Sequence, residues 1–571
     1  MTKPTFNLLD EPWIIATNLE GIEETLSLTD VLVRSHELKS LSGEMPSQDI
    51  AIMRLLLGVL YAIYTRTEEY EDAGEDDAGK CIEVWRKLWE RKFFAANEIS
   101  DYLRQYHDRF WLVHPERPFY QVAEIKKGSD FTVSKMIGEL VEGGNKIQLF
   151  PIRSGKNKQL LDYPEAARWL LYLNSFDDAS AKPTQKGLDP MSVGWLGQLG
   201  IVYVAGSNLF ETLMLNFSLL NNGKPWGYGN ATWELEASRT GERTLISMPN
   251  SGEELYTLQS RRIQLKYDGN KVIGFTLLGG DKFSNEDAFV EPMTIWKFNK
   301  GKAGVKSSFL PPSNAARNPA KQLWRDFSSL LVMSEQGNKA NEHRDPGILR
   351  WISELEGRGI IASMQIQICT MAIKYGNMQS GVEEVWSDAL SVNASLLSAL
   401  GEVWIGRITD LVGLTEDLVK ILGSLASNIV LCTGSADGKT LRDISQEQAY
   451  ASLDIPFRNW LSAIDPKTSD IICEYDKWVE IAKKIILDHG ENLVSQAGTQ
   501  AFIGRNIKIG NREDYYSTPK VYGWFRRSMH IKLSGIEQTI TRKSSFDDTD
   551  KSNSSLASDG ITRNGRIGGE K

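Results

Sequence analysis

The apolar positions of this chain change their period along its length. Near the start, Trp13-Ile14-Ile15-Ala16 and Glu24-Thr25-Leu26-Ser27-Leu28 flank a turn at Gly21, which predicts a small β opening. From Ile50 to Tyr64 the chain is apolar nearly all round, the pattern of a buried helix, with Ser47 placed to cap it. A helix over Lys80 to Phe94 sets Trp85 and Trp89 on one face at i, i+4. Pro164 suits the first residue of a helix running to about Leu173. Ile201 to Val204 reads as a strand, followed by a helix from about Asn208 to Leu220 with Ser207 as its cap. Ile263, Leu265 and Tyr267 alternate with polar residues, Asp268-Gly269-Asn270 is turn chemistry, and Val272 to Leu278 returns. This is a β-hairpin within 255 to 278. A helix is expected near 317 to 336, and the alternating, β-branched stretch Ile361 to Met371 predicts a strand.

After about residue 385 the period turns helical and stays so. Four helices are expected, near 386 to 410, 415 to 432, 446 to 464 and 468 to 490. Thr415 can cap the second, and Ser445-x-x-Gln448 is a capping-box pattern for the third. Short connections favour antiparallel neighbours, hence a four-helix bundle. The fold class is therefore α+β: a large mixed α/β N-terminal domain over 1–385 and a C-terminal four-helix bundle over 386–535. A polar Ser/Asp/Gly-rich tail over 536–571 is expected to be disordered.

Composition narrows this picture only in places. The 571 residues, with 41% apolar and 24% charged side chains, suit a globular protein of two to four domains. A net charge of −9 argues against a free-standing nucleic-acid binder, which is usually basic. It leaves room for basic loops on an acidic body. Residues 143 to 161 carry Lys146, Arg153, Lys156 and Lys158, with Phe150 and Asn157, and no acidic residue. Residues 296 to 325 hold seven Lys/Arg and no Asp/Glu, and 505 to 532 hold seven against Glu513 and Asp514. Such loops suit phosphate contact and base stacking, or are solvated surface.

Catalytic patterns are poor. Six histidines show no metal spacing, and no phosphate-binding Walker loop or nucleophile elbow is present. His114, between Val113 and Pro115, reads as a turn-stabilising residue. The four cysteines form no C-x-x-C pair and read as reduced, buried thiols, so no metal and no cofactor are expected. The N-terminus lacks the apolar core of a signal peptide. The longest apolar run, Leu55 to Tyr64, is too short to cross a bilayer, so a cytoplasmic place without membrane contact is expected.

Several short stretches then add a resemblance. Phe6-Asn7-Leu8-Leu9-Asp10-Glu11-Pro12-Trp13-Ile14 resembles the N-terminal signature of the CasA family, the large subunit of type I-E CRISPR surveillance complexes. In order, His114-Pro115-Glu116-Arg117-Pro118-Phe119, Gly194 to Gly200, Asn208 to Thr212, Gln259-Ser260-Arg261-Arg262-Ile263 and Glu291-Pro292-Met293-Thr294 agree with it. The resemblance spans about residues 5 to 535. It implies a non-enzymatic subunit that reads a protospacer-adjacent motif in double-stranded DNA, wedges the duplex open and recruits a separate nuclease-helicase. The implied partners are the other Cascade subunits, the 5′ handle of the guide RNA and the target DNA. A glutamine wedge matches Gln379, beside Asn377, in Tyr-Gly-Asn-Met-Gln; a lysine finger matches Lys282; a glycine loop falls within Lys186 to Ser192, where Lys186, Gly187 and Asp189 stand. That loop has one glycine, so this chain departs from the family there and its motif preference is expected to differ. The handle-contacting loop matches 143–161, hence Lys146, Phe150, Arg153, Lys156, Asn157 and Lys158. Some family members carry a cysteine cluster; this chain does not, which again predicts no zinc. The alternative is a purely structural helical scaffold of a ribonucleoprotein.

Overall fold

The computed structural model describes residues 3–71, 77–140, 152–180, 191–236, 245, 246, 249, 251–283, 290–300, 308–311, 321–331, 343–435, 437–509 and 512–534. The expected tail 536–571 lies outside them. Two compact units emerge: Met1–Thr409 with Arg458–Ile471, and Asp410–Phe457 with Ile472–Lys571.

The first unit is built around the helix Pro46–Tyr64, whose side chains are buried along almost its whole length. It is long and apolar enough to cross a membrane, but 89% of its apolar window is buried inside the protein, so it is a core helix. The helices Tyr163–Phe176, Leu209–Asn216 and Gly252–Tyr256 pack on it. Its cap differs from the sequence expectation. Met45 is the N-cap residue and Ser47 lies buried in the first turn, because the helix opens at Pro46, two residues earlier than a Ser47 cap would set it. The free amides before it are satisfied by side chains reaching back: Gly43 N donates to Asp49 Oδ1 (2.8 Å) and Glu44 N to Gln48 Oε1 (3.2 Å). Likewise Asn208, not Ser207, caps Leu209–Asn216, accepting from Glu211 N. Trp85 and Trp89 do share a face, with rings 5.2 Å apart.

Asp49 carries a pH dependence. Burial, with the Glu44 carboxylate adding and the Gly43 amide opposing, pushes its carboxyl up to about 7. The unfolded value is about 3.9. Below about pH 4 both states hold the proton and the group is neutral to stability. Between pH 4 and 7 the unfolded chain ionises first, so stability falls as pH rises, and above about pH 7 the whole cost is present. Asp49→Asn is expected to stabilise the protein by about 2 kcal/mol at pH 8, allowing for partial exposure, and by much less at pH 5. Urea unfolding at both pH values measures this; an equal effect at the two would refute it.

Among the described residues, three of the unit's four three-stranded antiparallel sheets bear on the site. The opening sheet pairs Glu23–Leu26 and Leu38–Leu41 on either side of Ile14–Asn18. The predicted hairpin is present as Arg261–Asp268 and Lys271–Gly279, joined by Ser129–Thr132. In the third sheet, Gln365–Tyr375 is central, between Ile201–Ala205 and Val382–Asn393.

That last strand corrects the sequence reading. The helix expected over 386 to 410 is strand to Asn393, then two 3-10 turns, and becomes helix only at Glu402. The expected boundary at 385 thus falls inside a strand. Its register runs without a break from Gln365↔Asn393 to Lys374↔Glu384. Leu390 and Val392 alternate into the core, and the backbone groups are satisfied by a partner in another part of the chain, which no local period reveals. Near 317 to 336, the described part is only the 3-10 turn Leu323–Asp326 and the single turn Phe327–Leu330.

The C-terminal region is helical, with Glu402–Thr433, Lys439–Ser462, Ile471–Ser495 and residues 518–534 as its long helices. The two helices expected before residue 433 are one. Thr415 lies inside it, donating from Oγ1 to Leu411 O (2.7 Å) and accepting from Trp478 Nε1 (3.0 Å). Ser445 is also inside its helix, bonded back to Leu441 O (2.7 Å), and caps nothing. The fourth helix comes instead from the basic C-terminal segment, after the short hairpin Arg505–Ile509/Arg512–Tyr516. Trp478 is wholly buried in this unit, edge-on to Phe457 at 4.8 Å.

Candidate nucleic-acid interface

The strands Gln365–Tyr375 and Val382–Asn393 meet at the tip Gly376–Gly381. There Ser380 N donates to Asn377 O (3.1 Å), and Met378 and Gln379 both have positive φ, 56° and 57°. These are the features of a type I′ turn, whose two central positions favour Asn-Gly because a Cβ is strained there. An L-residue in this region costs roughly 1–2 kcal/mol. Here both positions carry side chains. Asn377 is exposed, Gln379 half-buried, and Met378 87% exposed.

The tip is held at several points. Gly376 N bonds Gly381 O (3.0 Å), Tyr375 Oη donates to Phe176 O (2.6 Å), and Ala179 N donates to Gln379 O (3.0 Å). Gly381 N donates to Asp178 Oδ2 (2.7 Å). Asp178 is itself clamped by Lys135 Nζ at 2.6 Å and by Ser180 N at 3.0 Å. Burial and the neighbouring Asp177 push its carboxyl up, but the Lys135 ammonium and the Ser180 hydroxyl outweigh them, and its pKa lies below the usual carboxylate value.

Beneath this lies Arg261, wholly buried. Its Nε meets Asp177 Oδ2 at 2.6 Å, and Nη2 donates to Asp177 O (3.0 Å), Asp178 O (3.3 Å) and Ser192 O (2.9 Å). Described residues on either side of 181–190 are therefore gathered on one guanidinium. The next residue, Arg262, is also wholly buried and pairs with Asp281. Asp281 N donates to Gln259 O (2.8 Å), and Lys282 follows in a short strand, where Lys282 pairs with Leu245. Adjacent arginines on one strand thus bind residues that neighbour all three elements expected to read DNA: Ser192 after 181–190, Asp178, which holds Gly381, and Asp281 before Lys282. The sequence marked Gln259-Ser260-Arg261-Arg262 only as a family stretch; two consecutive arginines at the head of a strand were the signal of buried ion pairs.

Lys146 and Phe150 lie outside the described residues, as do Lys186, Gly187 and Asp189. Lys282 is placed by its backbone. Of the handle loop, Gly155–Lys158 forms a 3-10 turn with Lys156 and Asn157 exposed and Lys158 half-buried. Leu161 closes the loop by pairing with Val272 on the 261–279 hairpin. Arg153 has another engagement: Nε meets Glu139 Oε2 at 2.9 Å, and Nη1 meets Glu165. Burial alone would lower its pKa, but the two carboxylates raise it. Its charge is spent inside the protein, and it fastens the loop rather than offering itself to phosphate. Arg153, Asn157, Lys271 and the carboxylates Asp162 and Glu165 surround an open hollow of about 340 Å³.

His114 behaves as the sequence predicts, its Nδ1 accepting from Glu116 N (3.1 Å) and Arg117 N (2.9 Å). Cys81, Cys369 and Cys432 are buried, but Cys473 is exposed, since it sits on the outer face of its helix. Among the described residues no three His, Cys, Asp or Glu side chains gather as a ligand set.

Comparison with known proteins shows what this chain and its fold are similar to. A family model described as CRISPR-associated protein Cse1 matches residues 7–489. The CRISPR-associated protein CasA/Cse1 of Thermus thermophilus is 27% identical over 371 residues, covering 64% of this chain and 67% of the relative. The crystal structure of Thermobifida fusca Cse1 superposes with a TM-score of 0.78 at 28% identity, over 93% of this chain and 98% of that one. A chain of a CRISPR RNA-guided surveillance complex in a pre-nicking state shares the fold, with a TM-score of 0.58 at 18% identity over 92% and 99%.

Proposed function

The chain belongs to the Cse1 (CasA) family of CRISPR-associated proteins, and on that premise we propose that it is the large subunit of a type I-E RNA-guided surveillance complex. In this reading it recognises a short flanking motif in duplex DNA and opens the duplex beside it. The observation that carries the reading is the tip Gly376–Gly381: a strained, side-chain-bearing turn tied down by Asp178, Ala179 and Phe176. A wedge has to resist the stack it parts, and this one is braced by a buried charge cluster.

Lys282 and the segment around Lys186, Gly187 and Asp189 read the motif. The minor groove offers a degenerate acceptor pattern, so a lysine and backbone amides there tolerate several motifs. Asn377 and Gln379 enter the opened step. Lys156, Asn157 and Lys158, with Lys146 and Phe150, meet the 5′ handle of the guide RNA. Unstacking one step costs a few kcal/mol, and exchanging duplex for heteroduplex is nearly balanced, so no nucleotide hydrolysis is called for. The subunit is not an enzyme in this reading; a nuclease-helicase joins after the R-loop forms, in the cytoplasm. The net charge of −9 suits a protein that holds DNA only within its complex.

Gln379→Ala is expected to leave assembly intact and to lower R-loop yield about tenfold on relaxed plasmid, with a smaller loss on supercoiled DNA. Gel-shift and footprinting on the reconstituted complex measure it. Unchanged yield on relaxed DNA would remove the wedge assignment.

A further inference from the structure

The most exposed large apolar side chain among the described residues is Met378, at 87%. It stands at the first central position of the type I′ turn, with Gln379 at the second. Glycine there would relieve the backbone. The chain instead holds an uncovered thioether at the apex of a hairpin whose base is pinned on both strands, at Tyr375 and at Gly381. The ion pair Lys374–Glu383 at 3.3 Å joins the two strands below the apex, the Lys135–Asp178 pair holds the base at Gly381, and the tip 376–381 carries no charge of its own. An uncharged, rigid, apolar point flanked by two amides is a poor docking site for phosphate and a good one for the face of a base.

Resting on the reading of this hairpin as the element that opens DNA, we propose that Met378 is the stacking half of the wedge. Its thioether lies against the base pair exposed next to the flanking motif, while Gln379 occupies the hydrogen-bonding edges of the parted bases. Methionine suits the task. It is unbranched and polarisable, fills irregular gaps, and makes favourable contacts with ring systems. Apolar side chains, methionine among them, are the usual wedges where proteins part a base step. The amide alone offers hydrogen bonds that water also supplies; the apolar contact is what keeps the step from restacking.

The test uses the reconstituted complex and a duplex with 2-aminopurine at the first position beside the motif. Met378→Ala is expected to slow opening about fivefold on intact duplex and to leave the rate on a pre-melted bubble unchanged. Met378→Leu is expected within twofold of the natural protein on both. Met378→Gly is expected to slow opening as Met378→Ala does, although it relieves the turn. If Gln379→Ala slows opening and Met378→Ala does not, the stacking role is overturned while the wedge stands. If neither slows it, the reading of the hairpin itself fails. A Met378→Asn variant at the natural rate, or a Met378→Ala loss equally large on the bubble, would also overturn stacking, the latter by pointing to a partner-protein contact.

Discussion

Arg261→Met is expected to abolish motif-dependent R-loop formation and to destabilise the first unit by about 3–5 kcal/mol. The side chain is wholly buried and its guanidinium serves Asp177 and the carbonyls of Asp177, Asp178 and Ser192. Removing it takes from a buried carboxylate its 2.6 Å ion partner, leaving Lys135 Nζ at the longer distance of 3.7 Å. It also frees Ser192 and loosens Asp178 beneath the hairpin tip. Arg261→Lys is expected to retain part of the stability but little of the DNA opening, since an ammonium lacks the planar fork that spans three carbonyls. Thermal unfolding gives the stability change, and R-loop yield on intact against pre-melted DNA separates positioning from folding. A variant that melts as the natural protein does and opens DNA normally would show that the tip is held by its own strands.

The second large effect lies at the core. Arg54 meets Glu291 through two parallel bonds, both 2.9 Å, and its guanidinium stands 4.4 Å over the Tyr256 ring. Glu291 also accepts from Trp195 Nε1 (3.1 Å) and Met293 N (3.1 Å). Arg54→Met strands the carboxylate in a dry site at a cost of about 3–5 kcal/mol, which for a unit of this size lowers its midpoint by about 5 °C. Arg54→Met with Glu291→Gln is expected to regain much of this, because no buried charge is then left alone. Scanning calorimetry decides it: a double variant as unstable as Arg54→Met would mean that packing on Tyr256, not charge, dominates.

These two ion pairs also mark how much was legible beforehand. The stretches Gln259-Ser260-Arg261-Arg262 and Glu291-Pro292-Met293-Thr294 stood out as family marks, yet their residues are partners of Asp177, Asp281 and Arg54, which lie 84, 19 and 237 residues away in the chain. Spacing names no such partner. The handle loop shows the reverse case. Arg153 belongs to a stretch without acids, but Glu139 and Glu165 flank that stretch, 14 and 12 residues away, and take up its charge, so counting charges within the loop alone overstated what it offers to RNA.

By itself the sequence determined the elements whose forces are local. The apolar run ending at Tyr64 had to become a buried helix, the tryptophans at i, i+4 had to share a face, and Asp268-Gly269-Asn270 had to turn a hairpin. A mixed α/β region before a helical one follows from the same periods. Only the tertiary structure decided that 382–393 is a strand, that the helices before residue 433 are one, and that a turn near 378 is the braced apex of a hairpin. The physical reason is shared by all three. Strand pairing, helix continuity through Thr415 and a pinned turn are paid for by partners distant in sequence, namely Gln365–Tyr375, Trp478 and Asp178, and a window along the chain contains none of them.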